Sequence, residues 1–132
     1  MKINRFLQTR IARRKEMENQ TELLEAIHRQ FLSYKDRLPR LGEAYDHLSD
    51  EAYKEGALSP KVKRLMALCV ALTHGCRACV LYQAQEALNL GASVEEVMET
   101  CGVAISIGGT MAAGETTRVI QFLGEKGLVE SS

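Results

Sequence analysis

Cys76 and Cys79 stand three residues apart in the run Gly75-Cys76-Arg77-Ala78-Cys79. That spacing places two thiols within one helical turn, with their Cα atoms at disulfide distance. The following residues, through Leu90, carry Ala, Leu, Gln and Glu in helical proportion, so the pair opens a helix. First-turn N–H groups and the macrodipole favour an anion there, which lowers a thiol pKa. Gly75 lets the backbone turn sharply into that helix. The chemistry on offer is thiol–disulfide exchange, in which one thiolate attacks an oxidised substrate and its neighbour closes the disulfide. Helix-dipole reasoning makes Cys76 the attacking sulfur and Cys79 the resolving one. Two other readings stay open: the pair as small buried apolar side chains, or as a zinc site with His74, which supplies at most three ligands. Cys69 and Cys101 fall on helical core faces and read as packed apolar residues.

The chain has 132 residues, 45% of them hydrophobic, which is enough for one domain, or one domain and an arm. Two prolines, no tryptophan and abundant Ala, Leu and Glu predict helices, and no segment alternates with the period of a strand. A first helix is predicted from Ile3 to Glu18, with Ile3, Phe6, Leu7 and Ile11 on one face. A second begins near Thr21, carries Leu23, Leu24, Ile27, Phe31 and Leu32, and stops before Pro39. A short segment follows over Arg40–His47, then a connector at Glu55-Gly56-Ala57-Leu58. Ser59-Pro60 is an N-cap followed by proline at the first helical position. The helix it starts is expected to bury Val62, Leu65, Met66, Cys69, Val70 and Leu72, and to break at Thr73-His74-Gly75. The helix of the cysteine pair stops at Gly91. Ser93-Val94-Glu95-Glu96 is a capping box, opening a helix with Val97, Met98, Cys101, Ala104 and Ile105 toward the core. Gly108-Gly109 interrupts it, and Thr110–Leu123 forms a last helix.

Lys+Arg and Asp+Glu both number 17, so no global field draws the chain to nucleic acid or acidic lipid. No uninterrupted apolar run approaches the ~20 residues of a bilayer span. Met1–Lys15 alternates charged and apolar residues, unlike a secretory signal. A cytoplasmic protein is expected, with neither nucleic acid nor membrane as partner. Six basic residues between Lys2 and Lys15 are read as the polar side of a helix that packs its apolar stripe on a sister subunit. The glycine-rich run Gly108–Gly114 lacks the Lys-Ser/Thr ending of a phosphate loop.

The segment from Leu58 to about Ala113 resembles the alkylhydroperoxidase D-like, or carboxymuconolactone decarboxylase, family. The matching residues are Leu58-Ser59-Pro60-Lys61-Val62-Lys63-Arg64-Leu65-Met66-Ala67-Leu68, Gly75-Cys76-Arg77-Ala78-Cys79, Gly91-Ala92-Ser93-Val94-Glu95-Glu96-Val97-Met98-Glu99, and Gly108-Gly109. The resemblance implies an all-α helical bundle, assembly into trimers or hexamers, and reduction of hydroperoxides or disulfides without cofactor or metal. It also implies a proton relay: a glutamate twelve residues before the first cysteine and a histidine four after the second, serving the second cysteine. Arg64 and Gln83 occupy those positions here. An arginine facing the pair would favour a thiolate by charge alone. Gln83 can bind a water but cannot accept a proton. His74 and Glu86 are the substitute bases.

These readings divide the chain into an N-terminal helical arm for oligomerisation (1–54), a Cys-x-x-Cys core (55–127) and a tail (128–132). The candidate site comprises Cys76, Cys79, Arg64, Gln83 and His74. The expected function is a thiol–disulfide oxidoreductase re-reduced by a thiol partner, weakened by the altered relay. The alternatives are a non-catalytic, redox-sensing oligomer and a cofactor-free decarboxylase of the lactone type.

Overall fold

Local capping chemistry divides the chain into its elements. The computed structural model describes residues 4–5 and 18–130, so the predicted helix from Ile3 to Glu18, with its apolar stripe, lies largely outside the described residues. Asn19 caps α1 (Gln20–Arg37), its side-chain oxygen accepting the Glu22 N–H at 2.8 Å. Leu38 ends α1, and Pro39 starts α2 (Pro39–Tyr53) where a missing N–H does no harm. The Ser59 hydroxyl accepts the Val62 N–H to open α3 (Pro60–His74). Next come α4 (Arg77–Asn89) and α5 (Val94–Glu125), the latter begun by the reciprocal Ser93/Glu96 capping box. The predicted interruption at Gly108-Gly109 is a bend inside α5, where Gly109 adopts φ 63° and ψ −142°. No strand occurs among the described residues.

The core lies where α3, α4 and α5 meet. Leu68 and Leu72 of α3, Val80, Leu81, Ala84 and Ala87 of α4, and Val97, Ala104, Val119, Phe122 and Leu123 of α5 are fully buried. Burying side chains of this size removes them from water at roughly 25 cal/mol per Å² of apolar area. Leu23 and Leu24 carry α1 onto this core. The Glu125 carboxylate completes the attachment, accepting the Gln20 and Thr21 N–H groups at 2.9 Å each. The far end of α5 thus caps the start of α1.

The structure corrects the predicted core face of α3. Val62, Met66 and Val70 are 39%, 52% and 55% exposed, whereas Arg64, Leu68, Ala71 and Leu72 face inward. On α5, Met98 and Ile105 are likewise exposed, while Val97, Cys101 and Ala104 are buried. Both helices are apolar on more than one side, so periodicity alone could not select the side that meets the neighbouring helices. By length and composition α5 could cross a membrane. It is nevertheless bent at Gly109 and places seven residues in the buried core. The segment expected over Arg40–His47 extends to Tyr53. That extension matters for the site.

Candidate active site

Two helix ends meet at the cysteine pair. Gly75 terminates α3 in the left-handed region at φ 68°, with its N–H donating to Leu72 and the Cys76 N–H donating to Ala71 at 3.1 Å. A Cβ on Gly75 would come within 3.0 Å of Met111 Sδ, so both backbone and space require glycine. Cys76 is then the N-cap of α4, and its Sγ accepts the Cys79 N–H at 3.3 Å. The two sulfurs are joined as a disulfide with Cα atoms 5.2 Å apart. Cys76 is half-buried, and Cys79 is exposed. Between them Arg77 pairs with Glu18, 3.3 Å from Nη1 to Oε2.

Helical spacing carries Gln83 and Glu86 onto the face of α4 that bears Cys79, one and two turns further on. Arg64 of α3 meets them there. Its Nη1 donates to Gln83 Oε1 at 3.1 Å, and its Nη2 lies 3.8 Å from Glu86 Oε2. The guanidinium stacks on Tyr53, 3.6 Å from ring centroid to Cζ, with Tyr82 on a second side at 5.7 Å. Gln83 closes the set by donating from Nε2 to the Tyr53 hydroxyl at 3.3 Å. Arg64 is only 8% exposed, and its buried Nε has no hydrogen-bond partner among the described residues. Burial and then the Glu86 carboxylate push the Tyr82 phenol above its ordinary pKa, against the opposing pull of Arg64.

Arg64, Gln83 and Glu86 are therefore one cluster, a turn away from Cys79. His74, the last residue of α3, is exposed, and its side chain makes no hydrogen bond or ion pair among the described residues. Tyr53 and Tyr82 escaped the sequence reading. Tyr82 had a signal, being three residues past Cys79 on the same helix, but Tyr53 lay beyond the predicted end of its segment. Cys69 and Cys101 are unpaired thiols. Burial, the largest influence, raises the Cys101 pKa, which disfavours its thiolate. No group of three or more His, Cys, Asp and Glu among the described residues is placed to hold a metal ion.

The chain is similar to known proteins in sequence and in fold. Residues 39–121 match the family model of the carboxymuconolactone decarboxylase family. An uncharacterized protein of Cupriavidus necator is 30% identical over 99 residues, covering 75% of this chain and 88% of its own length. Among solved structures, a carboxymuconolactone decarboxylase family protein from Legionella pneumophila superposes with a TM-score of 0.77 at 27% identity, covering 83% of this chain and 97% of its own. A protein from Thermotoga maritima gives 0.70 at 26% identity, over 80% and 93% of the two chains. The all-α fold, the matched segment and the order of the motifs agree: the chain belongs to the carboxymuconolactone decarboxylase family.

Proposed function

We propose that this chain is a Cys-x-x-Cys thiol–disulfide oxidoreductase that reduces hydroperoxides. The observation that carries the reading is a cysteine pair at the start of α4 with one exposed residue, Cys79, and one capping sulfur, that of Cys76. Helix-dipole reasoning from the sequence assigned attack to Cys76. The exposure of Cys79 and its place one turn before the Arg64–Gln83 pair favour Cys79. The Cys79 thiolate takes the terminal oxygen of the hydroperoxide and becomes a sulfenic acid, while the alkoxide leaves and is protonated. The Cys76 thiol, ionised readily at the N-cap, then attacks the Cys79 sulfur, forming the disulfide and releasing water. A dithiol reductant attacks Cys79 in turn and expels Cys76. The leaving thiolate is the one its own helix stabilises, which speeds this step.

Assembly belongs to the same reading. Val62, Met66 and Val70 form an exposed stripe at fourfold spacing on α3, and Ile105, Ile107 and Met111 extend apolar surface on α5. A trimer or hexamer that buries these stripes between copies accounts for them.

A redox-sensing role without turnover is the second reading. Its support is that neither Arg64 nor Gln83 can accept a proton from the pair. Turnover decides between the two. Reduced protein with tert-butyl hydroperoxide and excess dithiothreitol should consume peroxide above the dithiothreitol background, and Cys76→Ser or Cys79→Ser should abolish the excess. Consumption at background, with the disulfide still forming once, would select the sensor.

A further inference from the structure

The alkoxide that leaves when a hydroperoxide is split needs a proton, and the cluster beside Cys79 holds one group able to give it. We propose that Tyr53 is the proton donor to that leaving oxygen. The inference rests on the peroxide-reducing reading above and names a residue that it lacks.

Gln83 sets the direction of the hydrogen bonds in the cluster. Arginine has only donors, so the Gln83 atom facing Arg64 Nη1 at 3.1 Å must be the amide oxygen. The amide nitrogen then necessarily faces Tyr53, and it donates to the hydroxyl at 3.3 Å. Tyr53 is the acceptor in that bond, so its own proton is left to be donated elsewhere. Gln83, one helical turn past the exposed Cys79 on α4, in this way fixes the direction of the phenol.

The same groups stabilise what Tyr53 becomes. A phenolate forming at Tyr53 would keep the Gln83 N–H bond, which strengthens as its acceptor gains charge. It would also lie against the Arg64 guanidinium, 3.6 Å from the ring centroid and nearly sealed from water. The other candidates are less suited. Arg64 does not release its proton, and Gln83 has none to give. Glu86 is the counter-ion of Arg64, and His74 is exposed at the end of α3 without a bond to the cluster. The Tyr82 phenol is held a weaker acid by burial and Glu86.

The step balances. The Cys79 thiolate forms the S–O bond to the terminal oxygen, and the O–O bond breaks with its electron pair on the alkyl oxygen. That oxygen takes the Tyr53 proton and leaves as an alcohol, with Cys79 as sulfenic acid. The phenolate recovers from solvent the proton that Cys79 lost on ionising. Cys76 then completes the disulfide as described, so that two thiols and one hydroperoxide give a disulfide, an alcohol and water.

The test compares two oxidants that differ in their need for that proton. Tert-butyl hydroperoxide expels an alkoxide, whereas peracetic acid expels acetate, which leaves unprotonated. Tyr53→Phe keeps the ring under Arg64 and removes the hydroxyl, the acid together with the acceptor of the Gln83 N–H. In reduced protein it should slow reaction with tert-butyl hydroperoxide by about ten- to a hundredfold and that with peracetic acid by no more than about twofold. Alkylation of Cys79 by iodoacetamide in a Cys76→Ser background should be unchanged by the substitution. In the unsubstituted protein, the solvent deuterium isotope effect should be larger with tert-butyl hydroperoxide than with peracetic acid, for which only thiol ionisation contributes. This second measurement does not depend on the variant folding. Equal slowing with both oxidants, no slowing with either, or the same isotope effect for both overturns the role of Tyr53. A wild type inert to both oxidants overturns the peroxide-reducing reading itself, and the proton donor with it.

Discussion

Arg64 lies over the face of Tyr53, its guanidinium carbon 3.6 Å from the ring centroid, and the contact joins the end of α2 to the first turns of α3. The arginine is the more buried partner and is held further by Gln83 and Glu86 on α4. Three helices therefore fix one cation near an exposed cysteine. A carboxylate at this position could move a proton. A guanidinium keeps its proton and can only supply charge.

If that charge favours the thiolate, Arg64→Ala should raise the lowest thiol pKa of the pair. Alkylation of reduced protein by iodoacetamide near neutral pH should then slow roughly three- to tenfold, the span of half to one pKa unit. Unchanged alkylation, with a loss of thermal stability, would make the arginine a purely structural clamp between Tyr53 and Glu86.

Gly75 positions the pair through its backbone. Gly75→Ala puts a side chain in the left-handed region and against Met111 Sδ. The conformation alone costs about 1–2 kcal/mol. Chemical denaturation should show at least that loss, whereas Gly102→Ala, at a helical site with nothing within 4 Å, should show none.

The start of α5 carries a pH dependence. The hydrogen bond from Lys61, and next the Ser93 N–H, hold the Glu96 carboxyl below its ordinary 4.5. A depressed folded pKa contributes stability that is complete above the unfolded value and disappears as pH falls through the folded one. Wild type should therefore lose stability relative to Glu96→Gln as pH drops below about 4.5, with the two curves parallel above about 5.5. Parallel curves through the acid range would show that Lys61 and Ser93 do not hold the carboxylate in solution.

Assembly is testable on the α3 stripe. Met66 and Val70 are more than half exposed, so Met66→Glu with Val70→Lys should leave the core of each copy intact. Light scattering should find wild type as a trimer or hexamer and the double variant as smaller species with unchanged circular dichroism. A wild-type monomer of about 15 kDa at micromolar concentration would contradict the assembly.

Much of this architecture is legible in the chain because caps are local. Ser59-Pro60, the Ser93/Glu96 box and Gly91 at φ 87° each announce a helix end through residues within a few positions of it. The cysteine pair is legible for the same reason. The inward face of α3 was not, since Val62, Leu65, Met66, Leu68 and Val70 make more than one side apolar, and only the placement of α4 and α5 selects among them. Nor was Tyr53. Its meeting with Arg64 and Gln83 depends on α2 running six residues beyond the expected segment, and on a packing angle that no local spacing encodes.

The central claim is that Cys76 and Cys79 are the redox-active thiols, and one measurement addresses it directly. Fully reduced protein treated with a single equivalent of tert-butyl hydroperoxide, then alkylated and mapped by mass spectrometry, should lose two of its four thiols. The peptide spanning both positions should carry the internal disulfide, with Cys69 and Cys101 left as thiols and the buried Cys101 alkylated only after unfolding. Cys76→Ser should instead stop at a sulfenic acid on Cys79 that dimedone traps, and Cys79→Ser should resist oxidation. A disulfide through Cys69 or Cys101, or four thiols left untouched by the oxidant, would contradict the assignment.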